Sequence, residues 1–103
     1  MKDITLHYIA VLRQHIEYVK WDMNRNFSDV FSHALDAAKQ GEFLYRYQLG
    51  LYRVMSALAQ RFPHILFEGC ASGGNRFDLG ILCCMPQIWA SDDTDAIARC
   101  HIQ

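Results

Sequence analysis

Short runs of strand-forming residues alternate along this sequence with stretches that have the spacing of an amphipathic helix. Apolar side chains at every third or fourth position indicate helices, whereas short apolar runs bounded by turn residues indicate strands. Strand and helix in alternation are typical of right-handed crossovers that build a parallel sheet. The sequence therefore predicts an α/β fold, with strands at residues 16–21, 65–68 and 87–91 and helices at residues 3–14, 42–61, 76–85 and from about residue 94 onward.

The length limits how such units can be arranged. Three strands cannot close a barrel, and a whole eight-stranded barrel needs about 250 residues, far more than the 103 of this chain. The sequence has no low-complexity segment and no repeat of fixed period, and it begins and ends in predicted helices. We therefore expect a single domain that is a segment of a larger architecture, with residues 26–41 as a loop that contains at most a helical turn.

Charge and hydropathy argue against several classes of partner. Ten Lys and Arg against eleven Asp and Glu give a formal charge of -1, so no basic field would attract nucleic acid or an anionic membrane surface. The longest wholly apolar run, residues 81–86, falls far short of the roughly 20 residues that cross a bilayer, and no signal peptide is visible. Four cysteines without C-x-x-C spacing favour free thiols. We expect a cytoplasmic protein.

Acidic side chains follow or close all three predicted strands. The ends are Lys20-Trp21-Asp22, Glu68-Gly69-Cys70 and Ser91-Asp92-Asp93. Parallel α/β folds bind ligands at this edge of the sheet. Asp22 and Asp92 lie on strands two apart, roughly 10 Å between backbones, so their carboxyl groups can approach the roughly 5–5.5 Å of a retaining glycosidase. The pattern favours cleavage of a glycosidic bond by one nucleophilic carboxylate and one proton donor.

The acidic cluster after the third strand also has structural interpretations. An aspartate after a strand is often only a helix cap, and the residues alone indicate Asp93 or Thr94 as the cap of the last helix, with Asp95 in its first turn. Asp93 is also a candidate contact to substrate. The same cluster could hold a magnesium ion, which prefers carboxylate oxygens, and a metal-dependent enzyme is therefore a third interpretation. We expect no cofactor.

The remaining strand-end residues also allow more than one role. Trp21 could belong to the core or form a stacking wall for the apolar face of a sugar ring. Lys20 could donate to a substrate hydroxyl, whereas Trp89 is expected in the barrel core. The turn at residues 69–74 matches neither nucleotide-binding glycine motif, and no histidine is placed to activate Cys70 as a nucleophile. Its glycines instead allow the backbone to approach a ligand closely.

Three motifs in order along the chain resemble the α-galactosidases of glycoside hydrolase family 36. They are K-W-D-M-N-R at residues 20–25, F-E-G-C-A-S-G-G-N-R-F-D at residues 67–78, and P-Q-I-W with S-D-D-T-D-A at residues 86–89 and 91–96. The resemblance covers essentially the whole chain. It implies a (β/α)8 barrel, with this chain around strands four to six, and retaining hydrolysis of terminal α-linked galactose from oligosaccharides. It also implies a homo-oligomeric parent enzyme.

The resemblance also implies roles at the matching positions. Asp22 matches the nucleophile and Asp92 the general acid/base, while Lys20, Cys70 and Gly73 match contacts to the bound galactose. The upstream barrel strands and the flanking β domains of the family have no counterpart in this chain. We therefore expect the isolated chain to be inactive, as a segment from a gene fragment or truncated product. The alternative function is that of a catalytically inactive truncated barrel fragment or an α/β interaction module that retains the motifs.

Overall fold

The chain folds around three parallel strands. The computed structural model describes residues 14–24, 27–71 and 77–102. Strands β1 (Tyr18–Asp22), β2 (Leu66–Cys70) and β3 (Gln87–Ile88) form one sheet in the order β1-β2-β3, and both pairings are parallel. Helices connect the strands, so the predicted α/β fold with a parallel sheet is confirmed. All but the last residue of the helix predicted at residues 3–14 lies outside the described residues.

The longest helix, α1 (Phe43–Arg61), agrees with the prediction to within one residue. Its apolar stripe buries Met55 and Leu58 against the sheet. The helix ends where the Phe62 N–H donates to the Leu58 carbonyl at 2.9 Å, because Pro63 has no N–H to continue the ladder. Of the helices in the described ranges, none is both long enough and apolar enough to cross a bilayer.

A 3-10 helix (Ala37–Glu42) lies in the segment that was predicted as a loop with a helical turn. The Gln40 side chain fixes this segment: its amide nitrogen donates to the Leu35 carbonyl at 2.6 Å and to the Ser32 carbonyl at 2.9 Å. Its amide oxygen accepts from the Ser32 N–H at 3.0 Å. One side chain thus satisfies backbone groups that would otherwise need secondary structure.

The second helix, α2 (Leu79–Leu82), forms a single turn, whereas the periodicity predicted a helix over residues 76–85. Asp78 begins it, because its carboxylate accepts hydrogen bonds from the Ile81 N–H at 2.9 Å and from the Tyr52 hydroxyl of α1 at 2.7 Å. Gly80 lies so close to Tyr52 that a β-carbon there would be 2.5 Å from the ring. Contacts with α1 therefore help to set where α2 begins, and local periodicity does not encode them.

Strand β3 is also shorter than predicted, since it covers Gln87–Ile88 and not residues 87–91. The Trp89 N–H still donates to the Gly69 carbonyl of β2 at 2.9 Å. Beyond that point the chain turns away from the sheet, and the Ser91 hydroxyl accepts the Asp93 N–H at 3.0 Å. A local side-chain-to-backbone bond takes the place of the ladder, which ends the strand early.

The last helix, α3 (Ala96–Ile102), has a different cap from the predicted one. Asp95 Oδ1 accepts hydrogen bonds from the second and third N–H groups of the helix, at 3.0 and 2.8 Å. Asp95 is therefore the N-cap, and the prediction of Asp93 or Thr94 was wrong by one or two residues. A carboxylate at this position satisfies otherwise unpaired donors and interacts favourably with the positive end of the helix dipole.

The two faces of the sheet differ in character because successive side chains of a strand point to opposite sides. On one side, the helix-covered face, α1 and α2 pack against the strands. On the other side, the polar face, Lys20 lies opposite Glu68 and Asp22 opposite Cys70 in the β1–β2 register, and Glu68 lies opposite Gln87 in the next pairing. The core on the helix-covered face consists of Met55, Leu58, Phe62, Ile65, Phe67, Ile81 and Met85, with Val19, Trp21, Leu51, Tyr52 and Cys84 packed against it.

Candidate functional site

The carboxyl ends of β1 and β2 lie side by side at one edge of the sheet. Asp22 and Cys70 are the last residues of their strands, and the Met23 N–H donates to the Cys70 carbonyl at 3.1 Å. Asp22 is exposed, and its Oδ2 accepts a long hydrogen bond of 3.4 Å from Asn24 Nδ2. Cys70 is buried. Two of the predicted site residues therefore share the predicted edge.

A tryptophan holds Asp92, the carboxylate predicted after the third strand. Trp89 Nε1 donates to Asp92 Oδ1 at 2.7 Å, a short bond to an exposed aspartate. Alternation along β3 puts Trp89 on the same face as Gln87, and the ring is only half-buried, outside the core cluster. Trp89 therefore lies on the face opposite the helix-packed core cluster, and the expectation that it belongs to the barrel core stays a prediction.

Lys20 connects the first strand to this tryptophan. Its Nζ lies 4.2 Å from the centroid of the Trp89 ring, within the range of a cation–π contact. Lys20 and Asp22 are two residues apart on β1 and therefore occupy the same, polar face. The contact spans β2, because β1 and β3 are not neighbours in the sheet. Lys20, Trp89 and Asp92 thus form a connected set above the polar face.

Arg99 completes this set from α3, and sequence analysis gave it no role. Its guanidinium carbon lies 4.6 Å from the centroid of the Trp89 ring, and Nη1 donates to the Ser91 carbonyl at 2.8 Å. One side chain therefore contacts both the tryptophan and the loop that carries Asp92. A signal was available in the sequence, because an arginine one turn into a helix can reach back to the loop that precedes it.

Asp93 stabilises the loop between β3 and α3. Its Oδ1 accepts the Asp95 N–H at 2.9 Å, and its own N–H donates to the Ser91 hydroxyl. Side-chain bonds of this kind are typical of Asx and Ser turns. The side chain is exposed, so its second carboxylate oxygen remains accessible to a ligand. Asp93 adjoins Asp92, and its observed contact is to the backbone of its own loop.

Trp21, a predicted contact residue, is not brought into this set. Trp21 packs against the core cluster on the helix-covered face, whereas Lys20 and Asp22 on either side of it face the other way. Of the two interpretations left open for Trp21, the packing favours core over a stacking wall for sugar. Gly73, in the glycine-rich turn after β2, lies outside the described residues.

Glu68 lies below the edge, not at it. The sequence predicts this carboxylate at the end of its strand, but it is the third of five residues in β2 and only 5% exposed. Gln87 Nε2 donates to Glu68 Oε2 at 3.4 Å and to the Tyr18 hydroxyl at 3.3 Å. A buried carboxylate needs such donors, because desolvation without them is costly. Glu68 therefore lies within the polar face and not at the strand end, so the expectation that all three strands deliver a carboxylate to the edge is wrong for β2.

Asp78 anchors the elements behind the site. Burial is the largest influence on this carboxylate and acts to raise its pKa. Hydrogen bonds from the Tyr52 hydroxyl and from the backbone N–H groups of Ile81 and Gly80 outweigh that influence, so the pKa of Asp78 lies below its ordinary value of 3.8. The same bond raises the pKa of Tyr52, whereas the hydrogen bond with Gln48 acts in the opposite direction.

The acidic loop does not form a metal cluster in the described ranges. No group of three or more His, Cys, Asp and Glu side chains among residues 14–24, 27–71 and 77–102 is arranged to hold a metal ion. Asp93 and Asp95 direct carboxylate oxygens to backbone N–H groups, and Asp92 directs one to an indole. The carboxylates of this arrangement offer nucleophilic attack and the donation and acceptance of a proton.

A sequence model of one family and several curated proteins match this chain, and their descriptions agree. The sequence model of a family described as Melibiase matches residues 3–103. The chain is 58% identical over 90 residues to Alpha-galactosidase 1 of Pediococcus pentosaceus, which covers 87% of this chain and 12% of that protein. It is 58% identical over 88 residues to Alpha-galactosidase AgaA of Geobacillus stearothermophilus, covering 85% of this chain and 12% of that protein. The chain thus spans about an eighth of these relatives.

The solved structures that resemble this chain include α-galactosidases as well. A crystal structure of a variant of the GH36 α-galactosidase AgaA from Geobacillus stearothermophilus with raffinose superposes with a TM-score of 0.91 at 51% identity, covering 99% of this chain and 14% of that one. The α-galactosidase from Lactobacillus brevis gives a TM-score of 0.87 at 47% identity, covering 95% and 13%. These relatives are TIM-barrel enzymes, so the expectation of a segment of a (β/α)8 barrel is confirmed.

Proposed function

The chain belongs to the melibiase family, and from that premise we propose that it forms strands four to six of the catalytic (β/α)8 barrel of a retaining α-galactosidase. Asp22 is the nucleophile and Asp92 the general acid/base. The observation that carries the proposal is the link across the polar face, in which Lys20 of β1 contacts the Trp89 ring and that ring donates to Asp92. This link ties the strand that ends in Asp22 to the loop that carries Asp92.

The sheet geometry supports these two roles. β1 and β3 flank β2, so the ends of β1 and β3 are separated by roughly 10 Å at about 4.8 Å per neighbouring strand. A retaining glycosidase needs its two carboxyl groups about 5–5.5 Å apart, on opposite sides of the bond that breaks. Asp22 ends β1 and Asp92 lies on the loop that follows β3, and two carboxylates that extend inward from these positions are compatible with that requirement.

The solved relatives support the same pair of residues. One AgaA structure with raffinose and another with stachyose each include the substitution of an aspartate, by asparagine in the first and by alanine in the second. The separation of those two aspartates along their chain equals that of Asp22 and Asp92 in this one. Substituting a reactive carboxylate is a common way to keep a substrate intact in an enzyme. The substrate class proposed for this chain is therefore an oligosaccharide that ends in α-linked galactose.

The reaction has two steps in this proposal. Asp22 attacks the anomeric carbon and forms a galactosyl ester, while Asp92 protonates the departing glycosidic oxygen. Asp92 then takes a proton from water, which attacks the same carbon, releases galactose with retained configuration and frees Asp22. Lys20 donates from its remaining N–H groups to a galactose hydroxyl, and Cys70, Gly73 and Asp93 complete the sugar contacts.

The first experiment transfers the chain into a full-length relative. The 103 residues replace the matching segment of the Pediococcus pentosaceus enzyme, and the chimera is assayed for galactose release from raffinose. We expect the chimera to be active, and Asp22→Asn to lower kcat by roughly 10⁴-fold or more, because a lost nucleophile removes the covalent step. Azide should restore turnover in Asp22→Gly with a galactosyl azide as product.

Asp29→Asn is the matched control, since it makes the same change at an exposed aspartate between β1 and the 3-10 helix. Its activity should equal that of the unsubstituted chimera. Near-normal activity in Asp22→Ala would contradict the assignment of the nucleophile.

The alternative, an inactive fragment or interaction module, is favoured by one observation on the isolated chain. Tyr18 and Leu66 lie opposite each other on the polar face, and both remain about 40% exposed. In the described structure β1 and β3 are also edge strands, and such edges invite pairing with another chain. A chromogenic α-galactoside assay on the purified 103 residues separates the two functions. We expect no turnover by the isolated chain.

A further inference from the structure

The side chain of Asp92 is held by one oxygen only. Oδ1 accepts the Trp89 indole N–H at 2.7 Å, and among the described residues no donor bonds to Oδ2. The residue is exposed and lies on a loop, where a carboxylate without a partner would rotate among several rotamers. The single bond therefore selects an orientation and leaves the other oxygen available.

The identity of the donor matters, because an indole N–H can donate a hydrogen bond but cannot accept one. Oδ1 must consequently act as an acceptor both when Asp92 is ionised and when it is protonated. A protonated Oδ1 would be a weaker acceptor for the indole N–H than an unprotonated carbonyl oxygen. The bond thus favours the proton of the neutral acid on Oδ2, the oxygen from which Asp92 donates it to the leaving group.

The indole ring is itself fixed by residues from distant parts of the chain. Lys20 Nζ of β1 lies 4.2 Å, and the Arg99 guanidinium carbon of α3 lies 4.6 Å, from the ring centroid. The ring quadrupole attracts both cations. Arg99 also donates to the Ser91 carbonyl at 2.8 Å, which ties the ring to the loop that carries Asp92. Ring and carboxylate are thus oriented as one unit.

We propose that Trp89 is a positioning residue that directs Oδ2 of Asp92 toward the glycosidic oxygen, with Lys20 and Arg99 fixing the indole ring. This inference rests on the proposed function and assigns a role to a tryptophan expected in the core. Trp89 acts through Asp92 and makes no contact with the reacting atoms. Its loss should therefore impair proton donation more than attack by Asp22.

The test compares two leaving groups in one preparation of the chimera. Cleavage of 4-nitrophenyl α-galactoside expels a stabilised phenolate that needs little protonation, whereas raffinose expels an alkoxide that must be protonated as it leaves. Trp89→Phe removes the N–H donor and keeps an aromatic face for the two cations. We expect kcat/KM for raffinose to fall about tenfold more than kcat/KM for the nitrophenyl substrate.

The ratio of the two values does not depend on how much of the enzyme is folded, since both come from the same sample. Asp92→Asn removes proton donation completely and serves as the reference. It should lower kcat/KM for raffinose relative to the nitrophenyl substrate by a larger factor than Trp89→Phe does. Trp21→Phe makes the same substitution at a tryptophan packed against the core, and any loss there should affect both substrates equally. Equal losses in Trp89→Phe, or none, would overturn the inference while the proposed function stands.

A second measurement needs no activity and uses the 103-residue chain. The two indole N–H signals are recorded by ¹⁵N NMR and assigned with Trp89→Phe and Trp21→Phe. In Asp92→Ala we expect the Trp89 signal to shift and its exchange with solvent to accelerate at least about fivefold, with the Trp21 signal unchanged. An unaltered Trp89 signal would show that the bond is not formed and would overturn the inference. If only the proposed function were wrong, the Trp89 signal would still respond to Asp92→Ala. That failure would instead appear as near-normal activity of the Asp22→Ala chimera.

Discussion

The two faces of the sheet differ in what their residues contribute. On the helix-covered face, seven buried apolar side chains from the strands, loops and helices form one cluster. On the polar face, Lys20, Asp22, Glu68 and Gln87 form a surface of charges and hydrogen bonds. Burial of apolar area dominates folding energetics, whereas a reactive carboxylate must remain accessible. We infer that stability of this segment depends on one face and its chemistry on the other.

The largest effect should follow from a cavity on the helix-covered face. Phe67 of β2 is 3% exposed and packs within the core cluster. Phe67→Ala removes its ring and leaves a cavity that the rigid sheet cannot fill, so the free energy of unfolding should fall by about 3–5 kcal/mol. Urea unfolding followed by circular dichroism gives this value. A loss below about 1 kcal/mol would contradict the assignment of Phe67 to the core.

Overpacking between α1 and α2 should have the next largest effect. A β-carbon at Gly80 would lie 2.5 Å from the Tyr52 ring, so Gly80→Ala must displace that ring and strain its hydrogen bond to Asp78. We expect a loss of about 1–3 kcal/mol in the same assay. Gly50→Ala is the matched control: no atom lies within 4 Å of the added carbon, and it should stabilise α1 by about 0.5–1 kcal/mol. Destabilisation by both variants would point to a cause other than this contact.

Asp78 should give an intermediate, pH-dependent effect. As the N-cap of α2 it should contribute about 1 kcal/mol at neutral pH, measured as the difference in unfolding free energy between the unsubstituted chain and Asp78→Ala. Its pKa is lowered in the folded chain, so this stabilisation is complete above the unfolded value of 3.8 and is lost as the pH falls through the folded value. A difference that stays constant between pH 6 and pH 3 would argue against an ionised cap.

The smallest effect should come from the neighbour of Phe67 on the opposite face. Leu66 is 40% exposed, and Leu66→Ala removes a side chain of similar hydrophobic character from the same strand. We expect a change within about 0.5 kcal/mol, because the residue is not part of the core cluster. The pair Leu66→Ala and Phe67→Ala therefore measures the difference between the faces directly. Comparable losses in the two variants would show that the polar face also contributes to stability in the isolated chain.

Long periodic patterns predicted the framework of this fold. The apolar stripe of α1 extends over five turns, so its limits were correct to within one residue. The parallel sheet and the shared edge of Asp22 and Cys70 follow from the alternation of strands and helices, which fixes strand direction without any knowledge of side-chain contacts. These features depend on local sequence and on the handedness of crossovers.

The features that sequence analysis missed depend on contacts between distant residues. The start of α2 involves Tyr52, 26 positions before Asp78. The place of Trp89 follows from Lys20 on another strand and from Arg99 on the following helix. Short elements such as α2 and β3 contain too few residues for periodicity to predict their limits. Tertiary contacts therefore determine where they begin and end and which roles their residues have.

The loop from Ser91 to Asp95 carries its own scaffold. Its side chains bond to its own backbone or to the first turn of α3, through the Ser91 hydroxyl and through one oxygen each of Asp93 and Asp95. Five consecutive residues thus fix the backbone of the loop, whereas the side chain of Asp92 takes its orientation from Trp89 outside it. The position and the orientation of this carboxylate therefore depend on different residues, so each can be altered by substitutions that leave the other in place.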